Sequence, residues 1–424
     1  MEEIKLFGMP ARSGRWLFVI LGMIVLLCLG TVYSWSIFRK PLEQMLNLSA
    51  TDSMLPFTAL LVFYSALMPL AGFYIKRWGA KKMTALGGAI AGLGYILSAF
   101  APNLGMLILT YGVIGGAGVG IAYGVPLAVT ASWFPERKGL AVGLTVIGFG
   151  LSPLITAPLA RFLIDKVGLF SSFIILGIGL AVIVIAISTM LQLAPANWQP
   201  SSNQRKGTSP IPSQEGQGQL PMLRAPQFYG LWLCYMIGTF VGLSAIGMSS
   251  PVAQEIIKID SATAAATVSL FAVFNGLGRP LFGWLSERFQ PHKAAVVSYV
   301  LILIASILML NAQEGQLLTY LVAFSLFWLC LGGWLALAPT ATIILFSPEN
   351  YAKNYGIVFT AYGVGALLGT TITGNLRDIL GSYTYAFYPT AILAIVGIFL
   401  AFGLLARSPR YHKIVNLNQG SPRI

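Results

Sequence analysis

One charged residue stands apart from the rest of this sequence. Arg279 lies inside Phe274-Asn-Gly-Leu-Gly-Arg-Pro-Leu-Phe282, within a long apolar run. At helical rise it falls roughly 12 Å from Glu287 at one end of that run and about 25 Å from the other end. An arginine held at such depth costs at least ~2.5 kcal/mol on insertion scales, and snorkelling relieves only part of this. The 13 acidic residues all fall in loops, termini or helix ends. No carboxylate or histidine shares the depth of Arg279, so the simplest compensating partner is an anionic ligand. A guanidinium is a planar fork of donors that grips a carboxylate bidentately. Pairing with backbone carbonyls or with Glu287 is the structural alternative. Asn275 lies one turn earlier on the same helical face. Gly276 and Gly278 either leave room beside the arginine or pack helices, and Pro280 can kink the helix.

Other chemistries find no residues here. Cys28, Cys234 and Cys330 each lie in an apolar run, and His292 and His412 stand alone in polar segments. No disulfide framework or metal spacing follows from these positions. A membrane-embedded enzyme would need a nucleophile–base pair or a metal cluster, and the apolar runs hold neither. The sequence therefore reads as a non-enzyme without metal or cofactor. Glycines 112, 115, 116, 118, 120 and 124 resemble no dinucleotide fingerprint, because no strand precedes them; close helix packing is the better reading.

The elements that must position Arg279 are membrane helices. Of 424 residues, 56% are apolar and 9% charged, with a mean hydropathy of +0.78. A soluble domain carries about 25% charged residues. Runs long enough to span a bilayer fall at about 15–38, 55–75, 83–101, 104–131, 139–163 and 169–193, then at 227–251, 262–286, 294–312, 316–346, 355–376 and 384–406. This predicts an all-α integral membrane protein. A six-helix bundle occupies 1–193, a Pro/Ser/Gln/Gly linker 194–225, a second bundle 226–406 and a tail 407–424. With the N-terminus inside, nineteen of the 26 basic residues fall on the inner side and six, including Arg39, on the outer side. That bias places both termini and the linker in the cytoplasm, and it accounts for the net charge of +13 without nucleic acid.

The two halves share a weak repeat. Gly72-Phe-Tyr-Ile-Lys-Arg77-Trp-Gly79 follows the second span and Gly283-Trp-Leu-Ser-Glu-Arg288-Phe-Gln290 follows the eighth. Twelve spans as six plus six, a long inner middle loop and this motif in both halves resemble the major facilitator superfamily. In the first copy Lys76 stands where that family usually has an aspartate, whereas Glu287 keeps the acid in the second. Gly72, Arg77, Gly283, Glu287 and Arg288 are thus the candidate gating residues, with any ion pair asymmetric between the halves.

The Asn-Gly-x-x-Arg-Pro element of the eighth span is similar to the oxalate:formate antiporter family within that superfamily. Further pieces are Tyr33-Ser-Trp35, Gly118-Val-Gly-Ile-Ala-Tyr123-Gly124, Trp133-Phe-Pro-Glu-Arg-Lys-Gly139 and Asn354-Tyr-Gly356. Together they run from about residue 15 to 406. The resemblance implies carboxylate binding between the halves. Arg279 would contact the carboxylate, Tyr33 and Tyr123 would supply hydroxyls and aromatic wall, and Trp35 and Phe149 would line the same cavity. The family's oxalate carrier has a lysine in the eleventh span where this sequence has Tyr362, and aromatics where it has Leu331 and Leu335. One cation balances one carboxylate, and a dianion would leave a charge unmatched at a cost of several kcal/mol. The expectation is a secondary active carrier of monocarboxylates such as formate, lactate, pyruvate or glycolate, with oxalate/formate exchange as a variant. It would work by alternating access, as a monomer, in the plasma membrane (the inner membrane if bacterial). A major facilitator carrier of a neutral solute or drug, or a non-transporting sensor, is the alternative.

Overall fold

The computed structural model describes residues 5–195, 198, 222–346 and 351–406. The predicted linker lies mostly, and the predicted tail wholly, outside them. A short antiparallel hairpin, Lys5–Leu6 with Met9–Pro10, leads into α1 (Ala11–Leu46). The helix Ala50–Ser98 breaks at Gly79, where φ is 78°. Its arms are α2 (50–78) and α3 (80–98). The first half closes with α4 (Leu104–Trp133), α5 (Gly139–Val167) and α6 (Leu169–Ser188). The second half comprises α7 (Pro226–Glu255), α8 (Ser261–Phe289), α9 (Pro291–Leu310), α10 (Leu317–Leu345), α11 (Tyr351–Leu380) and α12 (Tyr383–Leu405).

Among the described residues eleven helices are long and apolar enough to cross a membrane. The nineteen residues of α3, about 28 Å of helix, supply the twelfth crossing; Lys81 and Lys82 at its start dilute its hydropathy. The all-α, six-plus-six architecture therefore stands as expected. Both halves start and finish at the same end of the bundle, called here the linker end; the other is the far end.

Local chemistry sets the helix boundaries. Ser49 and Asp52 form a reciprocal capping box at the start of α2, and Asp260 accepts from the amides of Ala262 and Thr263 at 2.9 Å at the start of α8, which satisfies donors the helix cannot. The internal repeat extends to the backbone. Gly79 and Gln290 occupy the same place in the two motif copies and both have positive φ, 78° and 89°. Gly168 and Gly381 (φ 86° and 78°) turn α5 into α6 and α11 into α12, each three residues after an aspartate.

The halves meet along two seams, α2 against α11 and α5 against α8. Within the second half α8 lies against α10 closely enough that a Cβ at Gly278 would strike the Leu329 carbonyl, and one at Gly332 the Asn275 carbonyl. Gly276 faces Leu151 of α5. Both glycines beside Arg279 thus serve helix packing. Helix α8 passes Pro280 without interruption.

Candidate functional site

Arg279 is buried, with 3% of its surface exposed. It projects from α8 across the seam to α5, where Nη1 donates to the carbonyl of Val146 at 2.8 Å. Nη2 donates to Asn275 Oδ1 at 3.4 Å. Asn275 is itself fully buried and donates from Nδ2 to the Trp328 carbonyl of α10 at 3.1 Å. The i, i+4 spacing thus brings Asn275 onto the guanidinium, and the glycine contacts above let α10 come near enough to hold it. Among the described residues no carboxylate pairs with Arg279, and its Nε has no acceptor. Neutral oxygens satisfy part of its hydrogen bonding and none of its charge.

Two tyrosines close over this seam from opposite halves. Tyr33 of α1 and Tyr362 of α11 share a hydrogen bond of 3.0 Å between their hydroxyls, and the Tyr33 ring lies 6.4 Å from that of Trp328, whose carbonyl holds Asn275. Phe149 of α5 meets Tyr33 edge-on at 5.0 Å and Tyr123 of α4 at 5.2 Å. Tyr64 of α2 joins them, 5.1 Å from Tyr123 and 5.6 Å from Tyr362, and Phe359 stacks on Tyr362 at 5.1 Å. Such edge and offset contacts favour a defined aromatic wall. Arg279, Asn275, Tyr33, Tyr362, Phe149 and Tyr123 therefore form one cluster at the interface of the halves.

Trp35 does not join it, which corrects the expectation that it lines the same cavity. Its Nε1 donates to the Ser53 carbonyl at 2.9 Å, and its ring lies on Tyr111 at 4.3 Å beside Phe38 and Phe173. That cluster is the core of the first half. Two residues along a helix turn the side chain by about 200°, so Tyr33 and Trp35 cannot share a face. Leu331, one of the two positions that lack an aromatic, packs on Gly242 of α7. Tyr64 and Trp328 were not singled out from sequence. Both are aromatic residues in apolar runs, a pattern shared by many residues that only pack.

The outer-side count includes a second buried arginine. Arg39, at the far end of α1, has no exposed surface. Within the first half its Nε donates to Ser53 Oγ at 2.9 Å, and Nη2 to the Ala50 carbonyl at 2.7 Å and to Glu43 at 3.3 Å. Across to the second half Nη1 donates to the Gly247 carbonyl at 3.1 Å, and Nη2 to the Tyr383 hydroxyl at 2.7 Å. Around it Glu255 of α7 pairs with both Lys40 and Arg377. Asp378 accepts from the amides of Ala50 and Thr51 at 2.9 and 2.8 Å. The far end is thus tied shut by polar groups from both halves.

At the linker end the ion pair Arg15–Glu136, 2.6 Å, lies within the first half. Arg77, Glu287 and Arg288 are exposed and make no ion pair among the described residues. A Cβ at Gly283 would find only the Ala336 side chain within 4 Å among the described residues, at 3.9 Å, and Gly72 lies within the arm of α2. The motif residues therefore sit at the two interhelical turns, apart from the Arg279 cluster.

Comparison with known proteins gives the same architecture. The pattern of the Major Facilitator Superfamily matches residues 16–345 and 236–423. The oxalate:formate antiporter of Oxalobacter formigenes is 26% identical over 411 residues, 96% of this chain and 95% of that protein. Monocarboxylate transporter 12 of Xenopus laevis is 26% identical over 337 residues, covering 75% and 73% of the two. A bacterial homologue of the human lysosomal transporter Spinster, solved in an inward-facing and unoccupied conformation, superposes with a TM-score of 0.72 at 16% identity, over 94% of this chain and 97% of that one. With twelve crossings in two similar halves and a family match across nearly its whole length, the chain belongs to the Major Facilitator Superfamily and is a membrane-embedded transporter.

Proposed function

We propose that this transporter is a secondary active carrier of small monocarboxylates such as formate, lactate, pyruvate or glycolate, moved by alternating access. The observation that carries the reading is Arg279: buried at the seam between the halves, bonded to neutral oxygens, with no acid beside it among the described residues. A bound carboxylate supplies the missing charge, and charge-assisted bonds in a low-dielectric site are stronger than those it replaces. Tyr33 and Tyr362, whose hydroxyls meet at the interface of the halves, offer hydroxyls to a substrate's hydroxyl or keto oxygen. One cation matches one carboxylate, which favours a monocarboxylate over oxalate. Relatives that include an oxalate:formate antiporter and a monocarboxylate transporter support the carboxylate class.

The excess of basic residues at the linker end supports a cytoplasmic place for that end. The polar ties around Arg39 then hold the outer side closed, and the site is served from within. An empty site leaves Arg279 without a counter-charge, so rocking of the halves is easier with substrate bound, and exchange is favoured over net flux. The proposed working unit is a monomer. Counterflow of labelled formate and lactate in proteoliposomes tests the reading. Arg279→Gln removes a charged donor worth about 1.5–3 kcal/mol, so uptake should fall tenfold or more. Full transport by that variant would defeat the carboxylate assignment.

A further inference from the structure

Arg279 carries five N–H donors. Nη1 is held by the Val146 carbonyl at 2.8 Å, whereas Nη2 has only the long 3.4 Å contact to Asn275 Oδ1. Nε, buried, has no acceptor among the described residues. The unmet edge, Nε with Nη2, faces Gly150, one turn beyond Val146 on α5. A Cβ placed at residue 150 would stand 3.1 Å from Nε and 3.3 Å from Nη2. Acceptor oxygens sit about 2.7–3.2 Å from such donors. The place a side chain would take at 150 is therefore close to the place an oxygen bridging both donors would take. The same point is 2.5 Å from Asn275 Oδ1, which fills the neighbouring space. Its bond to Nη2 is long and weak, while its Nδ2 stays anchored on Trp328 at 3.1 Å.

We infer that Gly150 is a specificity-determining position, its missing side chain being the seat of one carboxylate oxygen on the Nε–Nη2 edge of Arg279. The inference rests on the carboxylate reading above and adds which edge of the guanidinium the substrate takes and which residue walls it. The incoming oxygen displaces Asn275 Oδ1, and the Nη1 bond to Val146, which crosses the same seam, lengthens as α5 moves. Seating the oxygen draws α5 back from α8 by about an atom's width. Binding thus opens the seam between the halves.

The test is concentration-dependent counterflow of formate and pyruvate in proteoliposomes. It compares the wild type with Gly150→Ala, Asn275→Ala, the Gly150→Ala/Asn275→Ala double variant and Gly143→Ala. A Cβ at Gly143 has nothing within 4 Å, so that variant should match the wild type. Gly150→Ala should raise the half-saturating concentration of both acids at least tenfold with little change in maximal rate. The double variant lacks the amide oxygen that a Cβ would strike, so it keeps the test valid even if Gly150→Ala alone inserts poorly. It should show the same rise over Asn275→Ala. If the double variant matches Asn275→Ala, the effect of Gly150 is packing against the amide and the inference is overturned. Wild-type affinity in Gly150→Ala overturns it as well. A wild type that moves no carboxylate at all would instead refute the proposed function, and this inference with it.

Discussion

Removing one oxygen from the far-end tie should change which state the protein occupies. The Tyr383 hydroxyl accepts from Arg39 Nη2 at 2.7 Å, one of two bonds from that arginine to the second half. Tyr383→Phe deletes it and keeps the ring, whose centroid lies 5.6 Å from the guanidinium carbon. Nη2 retains the Ala50 carbonyl at 2.7 Å and Glu43 at 3.3 Å, so no donor is orphaned. The loss then falls at the low end for a hydrogen bond to a charged group, about 1.5 kcal/mol. The bond exists only while the far end is closed. The closed-to-open ratio should therefore fall about tenfold. Spin labels on cysteines replacing Gln44 and Glu314, exposed at the far ends of opposite halves, would report this by double electron–electron resonance as a longer-distance population. The three native cysteines are buried. Tyr385→Phe, at an exposed tyrosine of the same turn, should leave the distribution unchanged. An unchanged distribution in Tyr383→Phe would mean that Arg39 only welds α1 to α2 and that its bonds across the seam are incidental.

Three further outcomes follow from the same geometry. Tyr362→Lys places a second cation at the seam facing Tyr33, and oxalate should then gain on lactate in competitive counterflow; an unchanged ratio would show that charge matching does not set the preference. Gln290 holds φ 89° and ψ 145°, a region that costs a non-glycine residue about 1–3 kcal/mol, so Gln290→Gly should raise the melting temperature in detergent, and a fall would show that the side chain holds the turn. Burial pushes the Glu136 carboxyl up, but its hydrogen bond from Arg15 and the nearby positive charges more than offset this, and the net shift is downward. A lowered carboxyl stabilises the fold above its unfolded value and ceases to as pH drops through the folded one. Thermal stability should thus fall on acidification below the ordinary carboxylate range, and less so in Glu136→Gln.

The crossings were legible because an apolar run of twenty residues has few alternatives. The turns were legible where glycine marked them, as at Gly79; Gln290 repeats that turn with no such mark, and only the alignment of the two motif copies could have found it. Asn275 could be placed from helical spacing alone. Trp35 misled because a motif read as a string puts neighbours together that a helix separates. The burial of Arg39 was not legible: beside Lys40 and near a span boundary it counts only as an outer-side cation, and several of the acceptors that bury it, Gly247 and Tyr383 among them, come from residues far away in sequence. It also gives Arg279 an internal standard. Arg39 shows how this chain treats an arginine kept for architecture: five acceptors, a carboxylate among them, and no surface left exposed. Arg279 is nearly as buried and has two neutral acceptors and an idle Nε. Both sit at the interface of the halves, so packing alone does not explain why one is satisfied and the other is not. On the proposed carboxylate reading, a negative charge that arrives with the substrate accounts for the difference.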